Sequence, residues 1–316
     1  VDVDGNNVVP DLNMFQFESE ISPQIKPWEL QLLELLRSKY PSNEGIQLHE
    51  RYVPLMPSEY RARVDAKEAL ENIQYIESLS DHNNIQFNLK RFTVPSILKS
   101  VSQLYIYSRD KIHLIEIMPV LQNLGLHVLD QLTTRIGNDR KTIGFVQSFR
   151  VVRKDRILID EENSKPFLEA IVKKYFQKKT ENDALNALAL LANLGWREIN
   201  VLQLYRNYYL QINAPLTAET INMVLLRHPK CSRILIETFH TKFSLETSLG
   251  NLENRIGLLL PEKKKQFNES LENVKQVTDD EVLRSIYELI ENTLRTNFFI
   301  PKRTEDSGIS IKLDSG

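Results

Sequence analysis

The sequence predicts an α+β fold: a four-stranded antiparallel sheet with helices, followed by an all-α domain. Three observations carry that expectation. Between Ile85 and Val152 apolar residues alternate with polar ones in four separate stretches, the period of half-buried strands. Upstream of that zone the apolar period lengthens to that of amphipathic helices. From Asn182 to Phe298 the pattern reads as helix throughout. With 316 residues the chain is long enough for two cores.

Residues 1–21 read as extended or loosely ordered. "SPQIKPWELQLLELLRSKY" predicts a helix with Pro27 near its first turn and Trp28, Leu32, Leu33, Leu35 and Leu36 at helical spacing; Pro41 ends it. Pro54 and Pro57 break the next stretch. A second helix follows in "VDAKEALENIQYIESL", with Ala66, Ala69, Ile73 and Ile76 on one face and Asp65 and Glu68 as a capping box. "IQFNLKRF" and "SQLYIYSRD" are strands; "KIHLIEIMPVLQNLG" is a helix closed by Gly125. "LHVLDQLTTRI" and "KTIGFVQSFRVV" are strands joined by the turn "GNDRK", and "NSKPFLEAIVKKYFQKK" returns to helix. The order β-β-α-β-β-α suits a sheet with helices on one face, close to the ferredoxin-like plait and its ACT-like version.

In the C-terminal half, "NDALNALALLANLG" is apolar nearly all round and predicts a buried helix ended by Gly195. Trp196 opens the next helix, where Ile199, Leu202, Tyr205, Arg206 and Tyr209 share a face. Its tryptophan and tyrosines suit a seam between helices better than a platform for stacking bases, since no surplus of basic residues accompanies them. "LTAETINMVLLRHP" has Thr217 as N-cap, "CSRILIETFHTKF" makes a further helix, and "PEKKKQFNESLENVKQV" another. The last, "TDDEVLRSIYELIENTLRTN", has Thr278 and Glu281 as a capping box and a stripe of Val282, Ile286, Leu289, Ile290 and Leu294.

Composition excludes several function classes. Lysine and arginine total 40 against 42 acids, a net charge of −2 that does not favour nucleic acid. The single cysteine, Cys231, rules out an internal disulfide framework and a cysteine zinc cage, and fits a reducing, cytoplasmic setting. No apolar run reaches the ~18 residues of a membrane span. The six histidines form no HExxH pair, and the ten glycines form neither GxGxxG nor a P-loop. "DEEN" (160–163) reads as helix-dipole partners and "EKKK" (262–265) as a solvated face; Cys231 has no base beside it in sequence. The residues themselves therefore predict no catalytic, cofactor-binding or metal site. Arg109, Asp110 and Lys111, in the turn after the second strand, are the candidate polar contacts for an effector or an interface.

Four ordered stretches resemble the large NAD-specific glutamate dehydrogenases of bacterial type. They are "EIMPVLQNLGLHVLDQ", "ENDALNALALLANLGWREINVLQLYRNYYLQ", "LLRHPKCSRILIETFHTKF" and "LENVKQVTDDEVLRSIYELIENTLRTNFF". In the second, Asp183, Asn186, Trp196, Arg197, Glu198, Tyr205 and Gln211 fall at the family's matching places; the fourth ends in "LRTN", Leu294 to Asn297. The resemblance implies an N-terminal helical lead-in (1–80), an ACT-like domain (81–180), a helical connector (181–300) and the start of a catalytic domain (301–316). It implies a non-catalytic regulatory and assembly segment, with no cofactor of its own. The parent would use NAD to oxidise L-glutamate to 2-oxoglutarate and ammonia. Implied partners are the catalytic domain of the same chain, further copies in a homo-oligomer and an amino-acid effector, without nucleic acid or membrane. The opening at Val1 and the closing "ISIKLDSG" suit a piece of something larger. The alternative reading is a free-standing helical adaptor for a protein partner.

Overall fold

Helix α1 of the computed structural model runs Trp28–Lys39 and buries Leu32 and Leu36 completely. The structure describes residues 27–41, 43–81, 84–91, 101–160, 182–212, 216–245, 252–300 and 308–314. The expected extended start, His82, most of "DEEN" and the helix expected in "NSKPFLEAIVKKYFQKK" lie outside them. Packing divides the chain into two units: Val1–Asn84 with Tyr107–Lys111 and Thr133–Val146, and Ile85–Ile106 with Ile112–Leu132 and Gln147–Gly316.

In the first unit, the stretch that Pro54 and Pro57 were expected to break holds two helices, α2 (Glu44–Tyr52) and α3 (Ser58–Arg63), joined by a 3-10 turn. Both prolines sit at helix starts, Pro57 as the N-cap of α3, where a missing N–H costs nothing. Gly45 lets α2 approach α1, because a Cβ there would lie 2.7 Å from the Leu36 carbonyl oxygen. Helix α4 (Ala66–Glu77) begins as expected: the Asp65 carboxylate accepts the Glu68 N–H at 2.8 Å, and Ala66, Ala69, Ile73 and Ile76 are buried. Asn72 of α4 is 1% exposed and spends both ends of its amide, donating to Tyr60 Oη at 2.7 Å and accepting from Tyr107 Oη at 2.8 Å. Tyr107 also stacks on Tyr75, with ring centroids 4.6 Å apart.

The strands are β1 (Ile85–Arg91), β2 (Ser102–Ser108), β3 (Leu126–Gly137) and β4 (Thr142–Arg153), in the antiparallel order β1-β2-β4-β3. Helix α5 (Leu114–Asn123) connects β2 to β3, and Gly125 follows it at φ 78, the left-handed C′ residue expected there. The sequence predicts helices on one face only. Instead β2 is buried along nearly its whole length: Leu104 and Ile106 enter the core of the second unit, while Tyr107, on the opposite face, meets Tyr75 in the first. An alternation with aromatics at its polar positions signals two covered faces, not one.

The second unit has one continuous core, running from Phe87, Ile106, Ile117 and Phe149 to Leu188, Leu202, Phe239 and Ile286. Its helices are α6 (Leu188–Leu191), α7 (Trp196–Ile212), α8 (Ala218–Arg227), α9 (Pro229–Phe243), α10 (Leu260–Leu271) and α11 (Val277–Glu291). The long helix expected over "NDALNALALLANLG" is a 3-10 turn (Ala184–Ala187) plus the single turn α6. Its burial is as expected, but Asn193 at φ 49 ends it two residues before Gly195. Thr217 caps α8 through the Thr220 N–H at 3.2 Å. Helix α11 starts at Val277, so Thr278 lies inside it and makes no capping box; Leu294 leaves the expected stripe for a strand and is 55% exposed. A last hairpin pairs β5 (Thr293–Thr296) with β6 (Ile311–Leu313).

Candidate functional site

The residues singled out beforehand, Arg109, Asp110 and Lys111, are exposed and form a turn. Arg109 donates from Nη2 to the Leu79 carbonyl at 2.8 Å, tying down the end of α4; the Asp110 carbonyl accepts the Ser108 hydroxyl at 2.6 Å. None of the three lines a cavity described in the structure.

A denser constellation lies where α7 and α9 meet the hairpin of β5 and β6. Glu198, three residues after Gly195, caps α7 by accepting the Gly195 N–H at Oε2, 2.7 Å away. Its other oxygen meets His240 Nε2 of α9 at 2.8 Å. Burial opposes the charge on Glu198, but the His240 hydrogen bond, the Gly195 N–H and Arg233 outweigh it and hold the carboxyl below its usual range. The preceding side chain, Arg197, donates from Nη2 to the Phe298 carbonyl at 3.1 Å, and its guanidinium lies 4.7 Å from the centre of the Phe298 ring. Two turns on, Tyr205 donates to Thr293 Oγ1 at 2.8 Å, and that hydroxyl passes its own proton to the Leu289 carbonyl at 2.7 Å. Both residues are fully buried, and burial pushes the Tyr205 hydroxyl pKa well up.

Phe239 is the hub. It is 0% exposed and contacts the rings of Tyr205 (6.3 Å), His240, Phe243 (5.1 Å), Phe298 (5.4 Å) and Phe299 (6.0 Å). His240 stands edge-on to Phe298 and Phe299 at 5.8 and 5.4 Å. The hairpin is closed by "LRTN" residues: Thr296 Oγ1 donates to the Ser310 carbonyl, and the Asn297 amide donates to Gly308 and accepts from Ser310 N–H at 2.8 Å. The aromatic-rich helix is therefore interior, as its periodicity predicts: Tyr205 and Tyr209 are buried and Trp196 packs against the core.

Beside this junction an open cleft of about 370 Å³ is lined by Asn193, Glu198, Arg233, Glu237, His240 and Lys263 among others. Glu237 binds Arg233 Nε at 3.0 Å and Lys263 Nζ at 2.8 Å; despite burial, those two cations keep its carboxyl low as well. Among the described residues no three histidine, cysteine or acidic side chains converge as a metal site. Cys231 is buried against Ser270 at 3.2 Å and its thiol pKa is pushed up by that burial, the opposite of an activated nucleophile. No helix among those described is long and apolar enough to cross a membrane.

Glu198, Glu237 and Asp279, whose carboxylate accepts from Arg227 at 2.6 Å and His228 at 2.8 Å, all have depressed pKa values against the pull of burial. A carboxyl depressed in the folded state stabilises at every pH above its unfolded value, about 4, and that contribution is lost as pH falls through the folded value. The unfolding midpoint in urea should thus hold near neutrality and fall steadily below about pH 4. Asp279→Asn should flatten that fall; an unchanged pH profile would rule out the contribution.

The pairs that build this junction were invisible as pairs in the sequence. Glu198–His240 spans 42 positions, Tyr205–Thr293 spans 88 and Arg197–Phe298 spans 101. Their only sequence signal was the family pattern that marked Arg197, Glu198 and Tyr205. Comparison with known proteins extends that signal. Profiles of the glutamate dehydrogenase family match in chain order: helical motif 2 at residues 35–79, the ACT3 domain at 98–164, helical motif 3 at 180–245 and the bacterial NAD-glutamate dehydrogenase catalytic domain at 266–316. The chain is 25% identical over 295 residues to the NAD-specific glutamate dehydrogenase of Pseudomonas aeruginosa, covering 92% of this chain and 18% of that protein. For the protein of the same name in Halomonas elongata it is 26% over 309 residues, covering 95% and 18%. In Mycobacterium tuberculosis the identity is 21% over 302 residues, covering 93% and 18%. The chain spans about 18% of the length of each of these relatives and, from its second helical motif to the β5–β6 hairpin, belongs to the large NAD-specific glutamate dehydrogenase family.

Proposed function

We propose that this chain is the regulatory and assembly segment that seats the catalytic part of an NAD-dependent glutamate dehydrogenase, and that it performs no chemistry itself. The whole protein would convert L-glutamate, NAD and water to 2-oxoglutarate, ammonia and NADH in the cytoplasm. One observation carries the reading. Arg197, Tyr205 and Phe239, all within the segment that matches helical motif 3, end on Thr293 and Phe298, within the segment that matches the catalytic domain. A buried hydroxyl pair, a cation over a ring and an aromatic cluster make a stiff seat, the kind of support a precisely positioned site elsewhere needs. The ACT-like sheet would serve as the sensing and pairing element, with further copies of the chain and an amino-acid effector as partners.

Incubated with glutamate and NAD, the purified 316-residue chain should produce no NADH absorbance, while the complete protein should turn over. Glutamate-dependent reduction by the chain alone would overturn the non-catalytic assignment. In the complete protein, Arg197→Ala should lower kcat with little change in KM for NAD, because it loosens the seat without touching the nucleotide.

A further inference from the structure

The cleft beside the junction has an uneven charge layout that none of its residues' roles above explains. On one wall two permanent cations, Arg233 and Lys263, share a single carboxylate, Glu237, at 3.0 and 2.8 Å. That leaves one positive charge in excess. On the other wall the Glu198 carboxylate faces the Gly195 N–H and His240, neither of which is a permanent cation. That leaves one negative charge in excess, close enough to feel Arg233. The recess is thus dipolar over a short distance. A simple carboxylate would be drawn to Arg233 and Lys263 but repelled by Glu198, and a simple amine the reverse. A molecule carrying an ammonium and a carboxylate on one carbon satisfies both walls.

The existing pairs are cheap to exchange. Arg233 and Glu237 are an i,i+4 pair with side chains 50% and 36% exposed, a kind of contact worth about 0.3–0.5 kcal/mol. Arg233 nonetheless stays aimed, because Nη1 donates to the Ala192 carbonyl at 3.0 Å. The volume, about 370 Å³, lies within the roughly 300–1,000 Å³ of small-molecule sites. We infer that this cleft is a binding site for a free zwitterionic α-amino acid, its carboxylate on Arg233 and Lys263 and its ammonium on Glu198. Through His240, which is bonded to Glu198 and edge-on to Phe298 and Phe299, an occupant bears directly on the hairpin. The site rests on the cleft alone and is separate from the Arg109 turn of the sheet.

Isothermal titration of the 316-residue chain with each of the common L-amino acids, and with propionate and propylamine, tests it. At least one amino acid should bind with a millimolar or tighter Kd, about tenfold or more tighter than either monofunctional probe. Arg233→Gln and Lys263→Gln should each weaken that binding about tenfold. Lys264→Gln, on the same helix but paired with Glu291 outside the cleft, should leave it unchanged. Circular dichroism confirms that each variant is folded. Absence of binding by every amino acid, equal binding of propionate, or binding that survives the double Arg233→Gln, Lys263→Gln variant would each overturn the assignment. None of these outcomes bears on whether the chain alone reduces NAD, which the activity assay decides.

Discussion

Replacing Arg206 with methionine should cost the chain about 3–5 kcal/mol of stability, the range seen when one member of a buried ion pair is removed. Arg206, on α7, is 5% exposed, and Nη1 donates to Asp183 at 2.6 Å and to the Asn222 carbonyl oxygen at 2.8 Å. Asp183 in turn accepts the Leu185 N–H at 2.8 Å, starting the 3-10 turn that leads to α6. Without the guanidinium, a carboxylate is left shielded from water with only neutral donors. The loss comes from that stranded charge more than from the missing attraction, so the double variant Asp183→Asn, Arg206→Met should regain a good part of it. Urea denaturation of both variants measures this. A loss under about 1 kcal/mol for Arg206→Met would mean that water reaches the pair, contrary to its burial.

Phe239→Ala should be of similar size, about 3–5 kcal/mol, because a fully buried ring leaves both lost transfer energy and a cavity. Its particular consequence is local. Phe298 and Phe299 lose the ring they pack on, so the β5–β6 hairpin should exchange its amide hydrogens faster than α11 does. A two-stranded ribbon has little stability of its own and depends on what it leans against. The Ser310 amide, bonded to the Asn297 side chain at 2.8 Å, is the reporter. Uniform destabilisation, with hairpin and helix exchanging in step, would show that the aromatic cluster does not selectively hold the hairpin.

These two expectations also mark where sequence reading succeeded and where it stopped. The face of α7 carrying Ile199, Leu202, Tyr205, Arg206 and Tyr209 followed from spacing alone, and all five are buried. What Arg206 does there did not follow, since its partners Asp183 and Asn222 lie 23 and 16 residues away. The strands were legible because alternation is a local signal, and so were the caps at Asp65 and Thr217. The prolines misled as punctuation: at 54 and 57 they start helices, and telling a start from a break requires knowing what precedes them in space. Thr278 misled for a related reason, because a threonine and glutamate three apart fit a helix start or its first turn equally well.

By itself, then, the order of residues determined which segments are strands, which are helices, which faces are apolar, and through the family pattern which enzyme family the chain belongs to. The tertiary structure alone decided that both faces of β2 are covered, that sheet and helices share one core in the second unit, and that Arg197, Tyr205 and Phe239 grip the final hairpin. The division has a physical cause. Periodicity is written by interactions two to four residues apart, whereas a buried hydrogen bond across 88 or 101 residues depends on where the whole chain turns.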